Sequence, residues 1–177
     1  MEKEKLEKIK NLIRDIPDFP VKGILFRDLT TMLKDGEAFR LVCEELKNEY
    51  AGLGVTKVVG IEARGFICGA VLAHELGAGF VPVRKPGKLP ADTVQKTYSK
   101  EYGTDVIEIH RDAINENDVV VLHDDLLATG GTMAAAYELV KSMNPKRIYV
   151  NFIVELEALE GRKAFPDGVD VRSMIVY

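Results

Sequence analysis

The stretch VVVLHDDLLATGGT, residues 119–132, decides how this chain folds. Val119 to Leu122 form an apolar run too short for a helix face and suited to a strand buried on both sides, expected over Asp118–Leu122. The strand is read as ending at the two carboxylates, Asp124 and Asp125. Gly130 and Gly131 then turn the chain into a helix expected from Thr132 to Met143. In open parallel sheets, ligands settle just beyond the carboxyl ends of the strands. Glycines there let successive amides turn inward, while Thr129 and Thr132 add hydroxyls. The helix start supplies free N–H groups and a positive dipole end. Such a segment cradles a phosphate monoester. Two carboxylates beside it would repel that anion unless sugar hydroxyls donate to them, so a phosphorylated sugar satisfies both halves. The lysine of a GK[ST] loop and the GxGxxG dinucleotide fingerprint are both absent.

Outward from this segment, β-branched runs alternate with helical stretches. A strand is expected over Lys57–Ile61, a helix over Phe66–Leu76 stopped by Gly77, and a strand over Gly79–Val83. Further strands are expected at Val106–Ile109, antiparallel and paired with another near the lid, and at Arg147–Val154 and Asp170–Val176. That rhythm predicts an α/β fold with a central, mainly parallel sheet flanked by helices. Toward the N-terminus, Leu6, Ile9, Ile13 and Ile16 fall at helical spacing, as do Phe39, Val42, Leu46 and Tyr50. Between those helices, Asp18–Asp28 reads as an ordered loop carrying aromatics. The polar interval Arg84–Thr104 is expected to be a functional lid rather than filler.

With 177 residues, one domain spanning 1–177 is expected. Hydrophobic residues at 46% and charged residues at 29% are ordinary for a globular chain and argue against disorder. A net charge of -4 argues against a broad surface for nucleic acid. No apolar run is long enough to span a bilayer, and Met1–Lys5 is not followed by a signal-type apolar core. Cys43 and Cys68 lack any CxxC or Cys/His ligand spacing and read as core thiols in a reducing, cytoplasmic setting. His74 and His110 likewise lack partners at metal spacing.

The acid pair followed by TGGT resembles the phosphoribosyl pyrophosphate motif of the type I phosphoribosyltransferases. HDDLLATGGTM at 123–133 is most similar to the adenine-specific members. The resemblance extends through FPVKGILFRDLT at 19–30, ARGF at 63–66, RKPGKLP at 84–90, YSKEYG at 98–103 and VELEALEGR at 154–162, covering nearly everything after residue 15. It implies transfer of a 5-phosphoribosyl group to a purine, with adenine expected. It also implies an N-terminal hood within residues 1–35 and a flexible catalytic loop over 84–104.

By the same resemblance, Ala128, Thr129, Gly130, Gly131 and Thr132 hold the 5-phosphate while Asp124 and Asp125 face the ribose 2- and 3-hydroxyls. Ala63, Arg64 and Gly65 form a pyrophosphate loop with an unusual backbone, often a cis peptide. Arg84, Lys85 and Lys88 close over the diphosphate, where cations stabilise the leaving group. Glu101 is the acid and base in proton transfer, with Tyr102 beside it. Phe26 stacks on the base, Leu25 and Arg27 offer backbone groups to its edge, and Leu156 forms the opposite wall. Magnesium is expected as cofactor, held by substrate oxygens and water rather than by protein ligands. A homodimer pairing through the region around Arg64 and Arg84 is implied, with adenine, phosphoribosyl pyrophosphate, AMP and pyrophosphate as the small-molecule partners. Glu62 and Ala63 stand where Asp and Ser are more familiar, and His123 where an apolar residue is usual. Two other functions share the motif: a xanthine or hypoxanthine enzyme, and a regulator that senses phosphoribosyl pyrophosphate without catalysis. The second needs a basic face for nucleic acid.

Overall fold

A computed structural model describes residues 3–19, 21–99 and 103–177. The chain packs as two compact units, 1–49 and 50–177.

In the first unit, α1 (Lys3–Leu12) turns Ile9 inward and is followed by β1 (Arg14–Pro17), which pairs antiparallel with β2 (Leu25–Asp28) from Arg14↔Asp28 to Pro17↔Leu25. The helical spacing of Ile13 and Ile16 therefore overran the helix by more than a turn. Pro17 provides the physical reason, since the residue before a proline is pushed out of the α region toward extended backbone. Part of the expected loop 18–28 is strand as well, because β1 needs a partner for its ladder. The short helix α2 (Thr30–Leu33) starts where the Asp28 carboxylate accepts from the Thr30 amide at 2.9 Å and hydroxyl at 2.6 Å. Helix α3 (Gly36–Tyr50) buries Val42 and Leu46 and ends on the buried Tyr50, the first residue of the second unit, at the expected spacing.

The second unit is built on β3 (Lys57–Ile61), α4 (Gly65–Leu76), β4 (Gly79–Val83), β5 (Thr93–Ser99), β6 (Thr104–His110), β7 (Val119–Leu127), α5 (Gly131–Lys141), β8 (Arg147–Glu155) and β9 (Asp170–Val176), with two 3-10 turns at Glu157–Leu159 and Gly161–Ala164. Five of its strands form a parallel sheet in the order β4-β3-β7-β8-β9. Alternation along β7 sends Val120 and Leu122 into a core with Met133, Ala136 and Leu139 of α5 and Ile107 and Ile109 of β6. Residue 123 points to the other face, where Gly65 and Gly69 bring α4 against it. A parallel sheet covered on both faces needs continuous apolar strands, and β7 supplies one.

The polar interval 84–104 holds more regular structure than the sequence suggested. Thr93–Ser99 is a strand, β5, which pairs antiparallel with β6 from Thr93↔His110 to Ser99↔Thr104. An Arg84↔Glu108 bridge ties this hairpin to the end of β4. The antiparallel pairing near the lid is as expected, and polar composition hid only which residues supply the partner strand.

Candidate active site

Strand β7 is paired on one side with β3 only as far as Gly60↔His123, yet on the other side with β8 as far as Leu127↔Glu155. The expected strand end at Leu122 is therefore wrong by five residues, and both aspartates lie within the strand. Pairing to β8 extends it, while β3 stops at Ile61 and turns away through Glu62 and Ala63 into α4. The Glu62–Ala63 peptide bond is cis. Beside Asp124 and Asp125 the β3 side of β7 thus has no strand partner among the described residues, and the start of α4 lies against it instead.

The two acids have different surroundings. Asp125 is buried and ion-paired with Arg64, which sits at the N-terminus of α4. Asp124 lies where burial, and then the charge of Asp125, push its carboxyl well above the usual range. A carboxyl so placed gains from neutral hydroxyl donors and from cations, either of which relieves the repulsion between the pair. Gly65 is part of this geometry: a side-chain carbon there would lie 2.8 Å from the carbonyl oxygen of His123 and 3.0 Å from Asp124 Oδ1.

Beyond β7 the chain turns through Ala128–Gly130 into α5, and Gly130 has φ +80°. A side-chain carbon at Gly130 would stand 2.3 Å from the carbonyl oxygen of Gly161, and one at Gly161 would stand 2.2 Å from that of Ala128. The turn is therefore pressed directly on the backbone of the 3-10 turn Gly161–Ala164. That turn is anchored in its own right, because Arg162 donates two hydrogen bonds of 2.7 Å to the buried Glu155 and one of 2.7 Å to Val171 O. Asp124 and residues 126–133 with Phe152 line a cavity of about 120 Å³. That is room for a tetrahedral oxyanion, given about 30 Å³ for one water. The first-turn amides of α5 and the hydroxyls of Thr129 and Thr132 surround it.

The basic cluster converges on one acid. Glu62 accepts from Lys88 Nζ at 2.6 Å, from Arg84 Nε and Nη2 at 3.3 Å each, and from the Lys85 amide at 3.1 Å. The Lys88 ammonium, helped by Arg84 and the Lys85 amide, outweighs burial and holds the Glu62 carboxyl down at about 2. Charges that the sequence suggested for a diphosphate are thus partly countered from within the protein. A second carboxylate, Glu108 on β6, escaped sequence analysis. Burial alone would raise it, but hydrogen bonds from Gln95, the Leu89 and Lys88 amides and Thr93 together pull it below its ordinary value. It fastens the 84–95 segment to the hairpin. The sequence held no signal for it, because a glutamate between two isoleucines in a strand reads as part of a solvated face.

His123 is fully buried, with Nδ1 2.8 Å from Asn151 Oδ1 on β8. Burial pushes it below its usual value, against the opposing effects of Asn151 and Asp125. Phe26, expected to meet a base, is half-buried on β2 of the first unit with its ring edge-on to Phe19 at 5.1 Å; Leu25 is exposed, and Arg27 is ion-paired with Asp15. Leu156 belongs to the second unit, immediately after β8, where its amide donates to Leu127 O at 2.9 Å. Glu101 and Tyr102 lie outside the described residues. No group of three or more His, Cys, Asp or Glu able to hold a metal occurs among the described residues.

The sequence pattern of the phosphoribosyl transferase domain matches residues 30–171, which include the acid pair, the Gly130 turn and the Arg64 loop. This chain belongs to the phosphoribosyl transferase family. Within the family, the adenine phosphoribosyltransferase of Bacteroides fragilis is 59% identical over 171 residues, covering 97% of this chain and 94% of that protein. The crystal structure of adenine phosphoribosyltransferase from Rhodothermus marinus superposes with a TM-score of 0.93 at 48% identity, over 99% of this chain and 100% of that one. The APRTase of Giardia lamblia, solved in complex with 9-deazaadenine, gives a TM-score of 0.91 at 43% identity over 97% of each chain. Among the described residues, no helix is long and apolar enough to cross a membrane.

The depressed Glu62 carboxyl carries a pH signature. Its folded value of about 2 lies below its ordinary 4.5, so its contribution to stability is complete above the ordinary value and is lost as pH falls toward 2. Glu62→Gln is expected to lower stability above pH 5 by on the order of 1–3 kcal/mol, discounted because its cationic partners are partly exposed. In urea unfolding across pH 6 to 3, the gap between wild type and variant should narrow as pH falls. A constant gap would contradict the assignment.

Proposed function

We propose that the protein transfers the 5-phosphoribosyl group of phosphoribosyl pyrophosphate to N9 of adenine, giving AMP and pyrophosphate in purine salvage. The carrying observation is the juxtaposition on one strand and its turn: the Asp124–Asp125 pair beyond the last β3 partner, with Asp124 lining one cavity together with the Gly130 cradle at the start of α5. In the reaction the C1–O bond to pyrophosphate breaks and the C1–N9 bond forms. The cradle residues Ala128–Thr132 grip the 5-phosphate through amides and hydroxyls, while the acid pair accepts hydrogen bonds from the ribose diol. Arg64, with Ala63 and Gly65, directs its loop toward the departing pyrophosphate. Arg84, Lys85 and Lys88 add positive charge nearby, with Glu62 setting how much remains available.

Adenine as the acceptor is supported by the names of relatives at 59% and 48% identity and by the 9-deazaadenine in the Giardia lamblia complex. Phe26 is then the candidate to stack on the base, with Leu25 and Arg27 contributing backbone groups. Glu101, aided by Tyr102, takes the proton lost from the imidazole part of the purine.

Magnesium fits this site only as a guest of the substrate. A dication that keeps its waters prefers the many oxygens of a diphosphate, and Asp124 and Asp125 are the carboxylates at hand to orient its hydration shell. It would supply charge neutralisation for the leaving group. We also propose a cytoplasmic homodimer paired around Arg64 and Arg84.

With phosphoribosyl pyrophosphate and magnesium present, AMP should form from adenine, and xanthine and hypoxanthine should react far more slowly. Failure to make AMP from adenine would sink the assignment. In the same assay Glu101→Gln should lower kcat by about 10²- to 10⁴-fold; an unchanged kcat with chemistry rate-limiting would remove Glu101 from proton transfer. Sedimentation velocity should return twice the mass of one chain, and a monomer at working concentration would contradict the pairing.

A further inference from the structure

Thr132 belongs to two cavities at once. It lines the cradle with Asp124, and it also lines a second cavity of about 120 Å³ whose other walls include Glu62, Arg84, Tyr98 and Asp105. On the shared wall, the Tyr98 hydroxyl of β5 lies 2.9 Å from Thr132 Oγ1 and 3.5 Å from Asp105 Oδ2 of β6. These three side chains form a short polar line running from the turn end of the hairpin to the first turn of α5.

Proton counting gives that line a direction. Each hydroxyl has one proton to donate and can accept as well, whereas an ionised carboxylate only accepts. Without an anion in the cradle, the protons can run toward Asp105: Thr132 donates to Tyr98, and Tyr98 donates to the carboxylate. A phosphate in the cradle accepts only, so Thr132 serves it by turning its proton away from Tyr98. The vacated lone pair of Thr132 Oγ1 then needs a donor, and Tyr98, at 2.9 Å, is in place to supply one. Asp105 loses only a long contact and keeps the Val106 amide at 3.0 Å. Aligned in this way, each donor polarises the next and strengthens the bond to the anion.

We infer that Tyr98 is a positioning residue for the sugar phosphate, its hydroxyl donating to Thr132 Oγ1 so that the threonine proton is delivered to a phosphate oxygen. The inference rests on the cradle described under Proposed function and adds a group that does not touch the ligand. The Tyr98 ring packs against the core, so Tyr98→Phe keeps the packing and removes only the donor.

Calorimetric binding of ribose 5-phosphate to wild type, Tyr98→Phe, Thr132→Val and the double variant tests it. Tyr98→Phe should weaken binding by about three- to tenfold, Thr132→Val by at least as much, and the double variant no more than Thr132→Val alone. Asp105→Ala supplies a test of opposite sign. Removing the competing acceptor should leave binding unchanged or tighter, whereas a purely structural role for the line would weaken it. Wild-type affinity in Tyr98→Phe, multiplicative losses in the double variant, or weakened binding in Asp105→Ala would each overturn the positioning role. No binding by wild type, or no effect of Thr132→Val, would instead overturn the cradle itself and the inference with it.

Discussion

The site depends on β7 being paired unequally on its two sides. Hydrogen bonding to β8 carries the strand to Leu127, while β3 leaves it after His123. A strand paired on both sides would bury its backbone groups and offer a ligand nothing; a strand paired on neither would not hold two carboxylates in place. The one-sided stretch takes rigidity from β8, and Asp124 on it lines the cavity that continues into the cradle. Glycine at position 65 preserves the arrangement by letting the helix start lie against the same stretch.

Electrostatics then become a problem of local balance. The chain carries a net charge of -4, yet the proposed substrate is strongly anionic. The structure distributes its cations next to particular acids rather than across a surface. Arg64 neutralises Asp125, and Lys88 and Arg84 neutralise Glu62. What remains for an incoming phosphate is mostly dipolar: helix-start amides and hydroxyls, which attract anions without the desolvation cost of further buried cations. Such a site discriminates by geometry more than by charge, and competing anions of the wrong shape gain little from it.

Much of this was legible in the residues. The apolar run before Asp124 and the glycines after it located the strand, the turn and the helix, because backbone demands there leave few residue choices. Gly77 as a helix stop followed from the same logic, and its φ of +65° bears it out. What could not be read were interactions between residues distant in sequence. The extension of β7 to Leu127 depends on β8, and the existence of β5 depends on β6. The engagement of Arg84 and Lys88 by Glu62 spans more than twenty residues and leaves no periodic trace. At Pro17 the opposite happened: a local backbone rule overrode an apolar spacing that looked helical.

The contact between Gly130 and Gly161 bears on how this turn can change over time. At each position the obstacle to a larger residue is a main-chain carbonyl oxygen, of Gly161 in one direction and of Ala128 in the other. Every amino acid carries that oxygen. Ala164 crowds the first position and Leu127 the second, but the carbonyl oxygens stand nearer, so trimming a neighbouring side chain cannot rescue a substitution at either glycine. Compensation would require the two turns to move apart as whole pieces of backbone. The pair constrains sequence drift more tightly than core packing does, where one methyl group can be traded for another.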